Sequence, residues 1–197
     1  NAAISACATG AQWQEALGTL LHMRPRCLKP DVISYSAAIN ACEKESQWSG
    51  ALGMFKDMGL HRLEPDVMTY NAGMGACATC PQWPEALCMF ADMRPRRLEP
   101  GVLSYSRAIT ACATGARWQE ALGLFFDLSA RHLEPSSSIY NAAMSACVKG
   151  VQWHAALVRF RGMRLQCVAP DAMTYNVAIS SCEKGAQWHE ALSLVLD

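Results

Sequence analysis

Tyr35-Ser36-Ala37-Ala38-Ile39-Asn40-Ala41-Cys42 is followed, after a polar break at Glu45-Ser46, by Trp48-Ser49-Gly50-Ala51-Leu52-Gly53-Met54-Phe55-Lys56-Asp57-Met58. In the first stretch Tyr35, Ala38, Ile39 and Cys42 fall at i, i+3, i+4 and i+7, the spacing of one apolar helix face. In the second, Trp48, Ala51, Leu52, Phe55 and Met58 repeat that period. Leu60-His61-Arg62-Leu63-Glu64-Pro65-Asp66 leads out of the pair. Its proline disfavours helix in the residue before it. An Asp, Ser or Thr just past the proline can cap the next helix. Residues 32–66 therefore predict two helices, each with one apolar stripe.

The pair recurs along the chain. Tryptophans fall at Trp13, Trp48, Trp83, Trp118, Trp153 and Trp188, every 35 residues, and these are all six in the sequence. Cysteines at Cys7, Cys42, Cys77, Cys112, Cys147 and Cys182 keep the same step. So do Tyr35, Tyr70, Tyr105, Tyr140 and Tyr175, and Pro30, Pro65, Pro100, Pro135 and Pro170. The 197 residues hold about five and a half such units without an insertion. The expected division is a partial repeat 1–31, repeats 32–66, 67–101, 102–136 and 137–171, and a partial repeat 172–197, in a single array 1–197. A lone helix pair cannot bury both stripes, so neighbours must stack. Stacking with the first helices on one side gives an α-solenoid whose concave face those helices line. The chain starts within a first helix and stops within a second, without a polar capping helix at either end. The expectation is a piece of a longer array.

Composition narrows the function. Seventeen Lys and Arg balance seventeen Asp and Glu, for a net charge of +0, and 51% of residues are hydrophobic. Disordered chains need the opposite balance. Bulk charge cannot hold such a chain to nucleic acid or to an anionic membrane. No apolar run approaches the ~18 residues of a membrane span. No targeting peptide is visible in this segment. Ten cysteines in a chain with this much apolar content do not need to be disulfide staples, and a reducing compartment is expected.

Catalytic chemistry has little to stand on. Cys77-Ala78-Thr79-Cys80 is a lone CxxC without a second pair to complete a zinc site. Cys77 belongs to the cysteine row, and Cys80 replaces Gly10, Gly115, Gly150 and Gly185 of other units. The row itself suits a small buried helix contact. His22, His61, His132, His154 and His189 share no metal spacing and read as solvated. There is no glycine-rich phosphate loop, nucleophile elbow or paired catalytic carboxylates. No catalytic residue, cofactor or metal is expected, nor a small-molecule substrate.

Asp66-Val67-Met68-Thr69-Tyr70-Asn71 opening one helix, Glu120-Ala121-Leu122-Gly123-Leu124-Phe125 and Glu190-Ala191-Leu192 in second helices, and Leu98-Glu99-Pro100 closing a unit resemble the pentatricopeptide repeat family over the whole chain. The tryptophan row and the Ala-Cys pair, as in Ala146-Cys147, depart from its commoner leucine-rich version. The resemblance implies an all-α, right-handed α-solenoid of stacked antiparallel helix pairs. It also implies sequence-selective binding of single-stranded RNA in mitochondria or chloroplasts, one base per repeat. The function expected is processing, stability, translation or editing of an organellar RNA. A helical-repeat scaffold for protein partners is the alternative, which the zero net charge favours.

In the family the reading residues follow the row tyrosine and the row proline. The first set here is Asn1 (by register), Ser36, Asn71, Ser106, Asn141 and Asn176; the second is Asp31, Asp66, Gly101, Ser136 and Asp171. Asn offers an acceptor and a two-proton donor, and ionised Asp is acceptor-only. Asp therefore suits the imino N–H of uracil or guanine. Asn is bulkier and favours a pyrimidine; Ser leaves room for a purine. Both sets also have a plainer reading, as residues common at helix starts and N-caps. Asn1 with Asp31, and Asn141 with Asp171, should read uracil; Ser36 with Asp66, guanine. Asn71 with Gly101 leaves an unspecified pyrimidine, and Ser106 with Ser136 leans to a purine. With the family's parallel polarity the expected partner is single-stranded RNA near 5′-U-G-Y-R-U-Y-3′. Two positions before the tyrosine, Ile33, Met68, Leu103 and Met173 would pack on base faces, a row that Ser138 breaks.

By the same resemblance, Lys44, Lys149 and Lys184 near the ends of first helices would meet phosphates, while Thr9, Thr79 and Thr114 replace them elsewhere. Three contacts imply a salt slope of roughly −2, about a 20-fold loss of affinity between 50 and 200 mM salt. Arg24, Arg26, Arg62, Arg94, Arg96, Arg97, Arg131 and Arg164 follow the second helices, beside Glu64, Glu99 and Glu134. Alternating signs there predict salt bridges between repeats more than a phosphate track.

Overall fold

A computed structural model describes residues 12–23, 30–187 and 189. Among them are ten helices and no strand. They are α1 (Trp13–Met23), α2 (Val32–Lys44), α3 (Trp48–Leu60), α4 (Val67–Ala78), α5 (Trp83–Met93), α6 (Val102–Thr114), α7 (Trp118–Ala130), α8 (Ser137–Lys149), α9 (Trp153–Leu165) and α10 (Ala172–Lys184). The chain forms two compact units, Asn1–Pro100 and Gly101–Asp197.

Helix starts follow from local chemistry. Asp31, Asp66 and Asp171 are N-caps whose side chains accept from the backbone N–H of Ser34, Thr69 and Thr174. Those hydroxyl residues are fully buried, and each donates back to the same aspartate oxygen at 2.7–2.8 Å. Gly101 and Ser136 occupy the cap positions of α6 and α8 without a side-chain cap bond.

Helix ends are just as periodic. Ser46, Ala116, Val151 and Ala186 have φ of 52–59°, one per loop within a repeat. Arg62, Arg97, His132 and Cys167, at 55–60°, close the loops between repeats. Each lets the next N–H reach back to the helix, as Gln47 N does to Cys42 O at 2.8 Å and Gln152 N to Cys147 O at 2.8 Å. That is the left-handed C-terminal closure of an α-helix. Pro81 stands where this residue would fall. Its ring fixes φ near −65°, and α4 is a residue shorter than α2, α6, α8 and α10.

In the first unit α2 packs on its partner α3 and on the next first helix, α4; α4 in turn packs on α3 and α5. In the second, α8 touches α6, α7, α9 and α10. First helices thus stack on first helices, with second helices behind them. The tyrosine row supplies the pins. Tyr35, Tyr70, Tyr105 and Tyr140 are at most 2% exposed. A buried phenol needs a partner, and Tyr35 Oη donates to Asp57 Oδ2 of the second helix at 2.8 Å. Tyr70 and Tyr105 donate likewise to Asp92 and Asp127. Tyr140 has Gly162 at the matching place and donates instead to Gln166 Oε1 at 2.7 Å.

Second-helix phenylalanines bind the next repeat. Phe55 meets Tyr70, Phe125 meets Tyr140 and Phe160 meets Tyr175 edge-on, with ring centroids 4.9–5.4 Å apart. Cys42, Cys77, Cys112, Cys147 and Cys182 of the cysteine row are buried, as their small apolar character predicts. Burial pushes the Cys42, Cys77 and Cys147 thiols up to about 11 and Cys112 to about 12. Two of the glycines that Cys80 replaces have a steric reason: a Cβ on Gly150 would lie 2.3 Å from Trp118, and one on Gly185 2.6 Å from Trp153.

Candidate functional site

The first turn of each first helix carries the candidate site. The tyrosine, at the fourth helical position, points into the core. The residue two before it, at the second position, therefore points away. Ile33, Met68, Leu103 and Met173 are 49–67% exposed. These large apolar side chains meet water, while Tyr35, Tyr70 and Tyr105 beside them are buried and Tyr175 is half-buried. Ser138 holds that place in α8 and is exposed too.

The reading residues lie one turn further on, at i+3 from this row. Ser36, Ser106 and Asn141 are half-buried and Asn176 is exposed. Asn71 departs from the expectation of an open row: it is only 7% exposed, in a helix buried from Thr69 to Ala78. Asn1 lies outside the described residues, so its pairing with Asp31 does too. Asn71 and Gly101 belong to different units.

Two of the expected pairs come together. Asn141 Nδ2 donates to Asp171 Oδ1 at 3.1 Å and approaches Oδ2 at 3.4 Å, across thirty residues of sequence. Its Oδ1 is buried without a partner. Ser36 reaches Asp66 through one intermediary: Ser36 Oγ lies 2.6 Å from Thr69 Oγ1, which donates to Asp66 Oδ1 at 2.7 Å. Each aspartate commits Oδ1 to its helix cap and leaves Oδ2 outside the cap bonds. Capping and base reading are thus compatible roles for one carboxylate. The Thr174 backbone bond, the Thr174 hydroxyl and Asn141 together hold the Asp171 carboxyl below the usual carboxylate range. It is an ionised acceptor at neutral pH. Ser106 and Ser136 make no such pair: Ser136 Oγ shares a hydrogen bond with Ser138 Oγ at 2.8 Å.

Lys44, Lys149 and Lys184 are exposed at the last residue of α2, α8 and α10. Lys184 Nζ donates to Val148 O at 2.9 Å, at the C-terminal end of α8. A cation there also offsets the negative end of the helix dipole. Thr114 Oγ1 instead returns to Thr110 O of its own helix. Two of the arginines that follow second helices pair within their own helix pair: Arg96 Nε with Asp92 Oδ2 at 2.7 Å, Arg131 Nε with Asp127 Oδ1 at 3.5 Å. An i,i+4 carboxylate is in reach from its own helix, while Glu64 acts on Arg96 only through its charge.

Two rows escaped the sequence reading. One is Asp57, Asp92 and Asp127, each 22 residues after its tyrosine. The other is the buried N3 row Ser34, Thr69, Ser104 and Thr174, with Ile139 as the exception. Both repeat every 35 residues, and that period was the available signal.

The sequence profile of the PPR repeat family matches residues 30–79, and that of the PPR repeat matches residues 173–197. The crystal structure of the pentatricopeptide repeat protein PPR10 in complex with an 18-nt psaJ RNA element superposes with a TM-score of 0.78 at 26% identity, over 96% of this chain. The chain carries pentatricopeptide repeats. It spans 28% of the length of that PPR10 chain. The crystal structure of the pentatricopeptide repeat protein PPR10 from maize gives 0.68 at 23% identity, covering 97% of this chain and 27% of that one. The PPR domain of Arabidopsis thaliana protein-only RNase P 1, in complex with tRNA, gives 0.70 at 12% identity, covering 80% of this chain and 83% of that domain; at this identity the likeness is one of fold. No curated protein sequence matches the chain. For this pentatricopeptide repeat chain the all-α solenoid fold is thereby settled.

Proposed function

We propose that the chain binds single-stranded RNA sequence-selectively, one base per repeat, near 5′-U-G-Y-R-U-Y-3′. It recognises RNA and leaves cutting to other proteins. Its biological setting is an organellar transcript, in mitochondria or chloroplasts, whose processing, stability, translation or editing it directs. The observation that carries this reading is the set of exposed apolar residues Ile33, Met68, Leu103 and Met173 beside two sets of reading residues, Asn141 bonded directly to Asp171 and Ser36 joined to Asp66 through Thr69. Apolar side chains at that exposure supply flat contacts to bases, and adjacent polar pairs supply edge contacts. Each is worth on the order of 1–3 kcal/mol before ordering costs. RNA-bound PPR10, with the same repeat architecture at 26% identity, supports it.

Fluorescence polarisation with labelled 5′-UGCAUC-3′ and a permuted 5′-CAUCGU-3′ tests it. The first oligonucleotide should bind at least about tenfold tighter. Equal weak binding of both would transfer the surface to protein partners. Fractionation of cells expressing the full-length protein tests the organellar setting.

A further inference from the structure

Ser36, Thr69 and Asp66 form a chain of hydroxyls ending on a carboxylate, and its protons can be counted. Ser36 Oγ lies 2.8 Å from Val32 O and 2.6 Å from Thr69 Oγ1. Thr69 Oγ1 lies 2.7 Å from Asp66 Oδ1. Each hydroxyl has one proton. Thr69 gives its proton to the ionised aspartate, the strongest acceptor in reach. Ser36 then gives its own to Thr69 or to Val32 O. If Thr69 turned to Ser36 instead, Ser36 would have to donate to Val32 O. While both contacts are kept, the Ser36 proton is spent inside the protein, and only a lone pair is left for a ligand. Asp66 is an acceptor as well.

The Asn141–Asp171 pair differs in one proton. Asn141 spends one Nδ2 hydrogen on Asp171 and keeps the second. That pair offers a donor beside an acceptor, the complement of uracil's N3–H and adjacent carbonyl. A pair with two acceptors and no donor complements two adjacent donors, which among the bases only guanine carries, as N1–H and N2–H2.

We propose that Thr69 is a positioning residue for base selection: by joining Ser36 to Asp66 it makes the pair acceptor-only and directs it to the N1–H and N2–H2 of guanine. This takes the base-reading assignment above as its premise. Thr69 touches no base itself. It is fully buried, and its hydroxyl acts through its two neighbours. Two repeats on, Ile139 stands in the matching place, and there Ser136 bonds Ser138.

Inosine, which lacks the 2-amino group of guanine, isolates the contact. Polarisation titrations use the full chain with 5′-UGCAUC-3′ carrying guanosine, inosine or uridine at the second place. The wild type should prefer guanosine over inosine by about tenfold, the size of one lost edge contact. Thr69→Val keeps the shape and removes the hydroxyl, leaving Ser36 only a weak back-bond to its own helix. The guanosine-to-inosine ratio should fall to about twofold, with discrimination at the other bases unchanged, and Thr69→Ser should restore it. A full ratio in Thr69→Val, with wild-type discrimination intact, overturns the role of Thr69 and leaves base reading standing. A wild type that prefers guanosine over uridine but not over inosine overturns it too, since Ser36 then does not meet N2. A wild type blind to all three overturns the base-reading premise itself. Should Thr69→Val not fold, Ser36→Ala removes the same acceptor from a half-buried site: loss of the ratio upholds the contact, and its retention overturns it.

Discussion

Asp171 performs two jobs that one substitution can separate. As N-cap of α10 it accepts from Thr174 N at 2.8 Å, and as a candidate reader it holds Asn141 Nδ2 at 3.1 Å. Asp171→Asn retains the cap, because Asn and Asp rank together at that position. Its Oδ1 can still accept from Thr174 and Asn141. Its second atom becomes an N–H donor in place of a carboxylate oxygen. That inversion disfavours the imino N–H of uracil and favours the bare ring nitrogen of cytosine. One edge contact is worth about 1–3 kcal/mol, so preference at the fifth base should move from uracil to cytosine by about tenfold. Stability should stay within a few tenths of a kcal/mol. Asp171→Ala removes both roles. It should lower stability by about 1 kcal/mol, or Tm by about 2–4 °C in a chain of this size, and leave the fifth base unread.

Competition binding with single-base variants of the RNA, beside thermal melts of all three proteins, reads both effects at once. If Asp171→Asn melts like the wild type and its preference does not move, the carboxylate is a cap alone and the assignment of the row fails. The pH dependence has a fixed sign. The folded-state carboxyl lies below its ordinary value, so uracil preference should be flat from pH 8 down to about 5. It should be lost only as pH falls through the depressed pKa.

Val151→Gly should raise stability. A β-branched residue at φ 59° carries about 1–2 kcal/mol of left-handed strain, and its side chain is 63% exposed, so little burial is given up. Glycine's greater freedom in the unfolded chain returns part of the gain, and a net rise of about 1 kcal/mol in a denaturant melt is expected; a fall would show that Val151 contributes contacts. Thiol alkylation of the native protein at pH 8, mapped by mass spectrometry, should label the exposed Cys88 and Cys167 well before Cys42, Cys77, Cys112 and Cys147, whose thiols sit at about 11 to 12. Early labelling of Cys77 would overturn its place in the core.

The fold was legible because its determinants are repeated. One tryptophan or tyrosine means little, but Tyr35 and its counterparts at a fixed step give the helix pair, its caps and its stacking together. The site was legible only where a row was restricted in chemistry: Asn or Ser after the tyrosine, Asp after the proline. Asn71 shows the limit. Its residue type fits the row, yet how much of it meets solvent depends on packing that no single repeat encodes. Lys184 is similar: its spacing suggested a phosphate ligand, and a carbonyl at the end of α8 takes one of its protons. The tyrosine–aspartate clamp went unread for a different reason. Asp57 looks like an ordinary polar residue on a solvated helix face until the phenol of Tyr35, 22 residues earlier, is known to be buried against it.

Repeat 137–171 shows how the rows depend on one another. Three positions change within a single turn of α8: Ser136 stands for the capping aspartate, Ser138 for the packing residue and Ile139 for the N3 hydroxyl. At Gly101 the aspartate alone is lost while Leu103 and Ser104 stay, whereas here all three rows change together. If they are parts of one recognition unit, losing the aspartate leaves the hydroxyl nothing to orient, and losing the apolar platform leaves the base nothing to lie on. Ile139 then fills its fully buried site as a hydrocarbon, and Ser136 and Ser138 satisfy each other at 2.8 Å. The fourth base of the RNA, facing Ser106 and Ser136, should accordingly matter little. Exchanging it among all four nucleotides should alter Kd by less than about twofold, against about tenfold at the fifth. Ser136→Asp combined with Ser138→Met and Ile139→Thr should turn that place guanine-selective, whereas Ser136→Asp alone should cap α8 and read nothing. A wild-type chain as demanding at the fourth base as at the fifth would mean that these rows do not act as a unit.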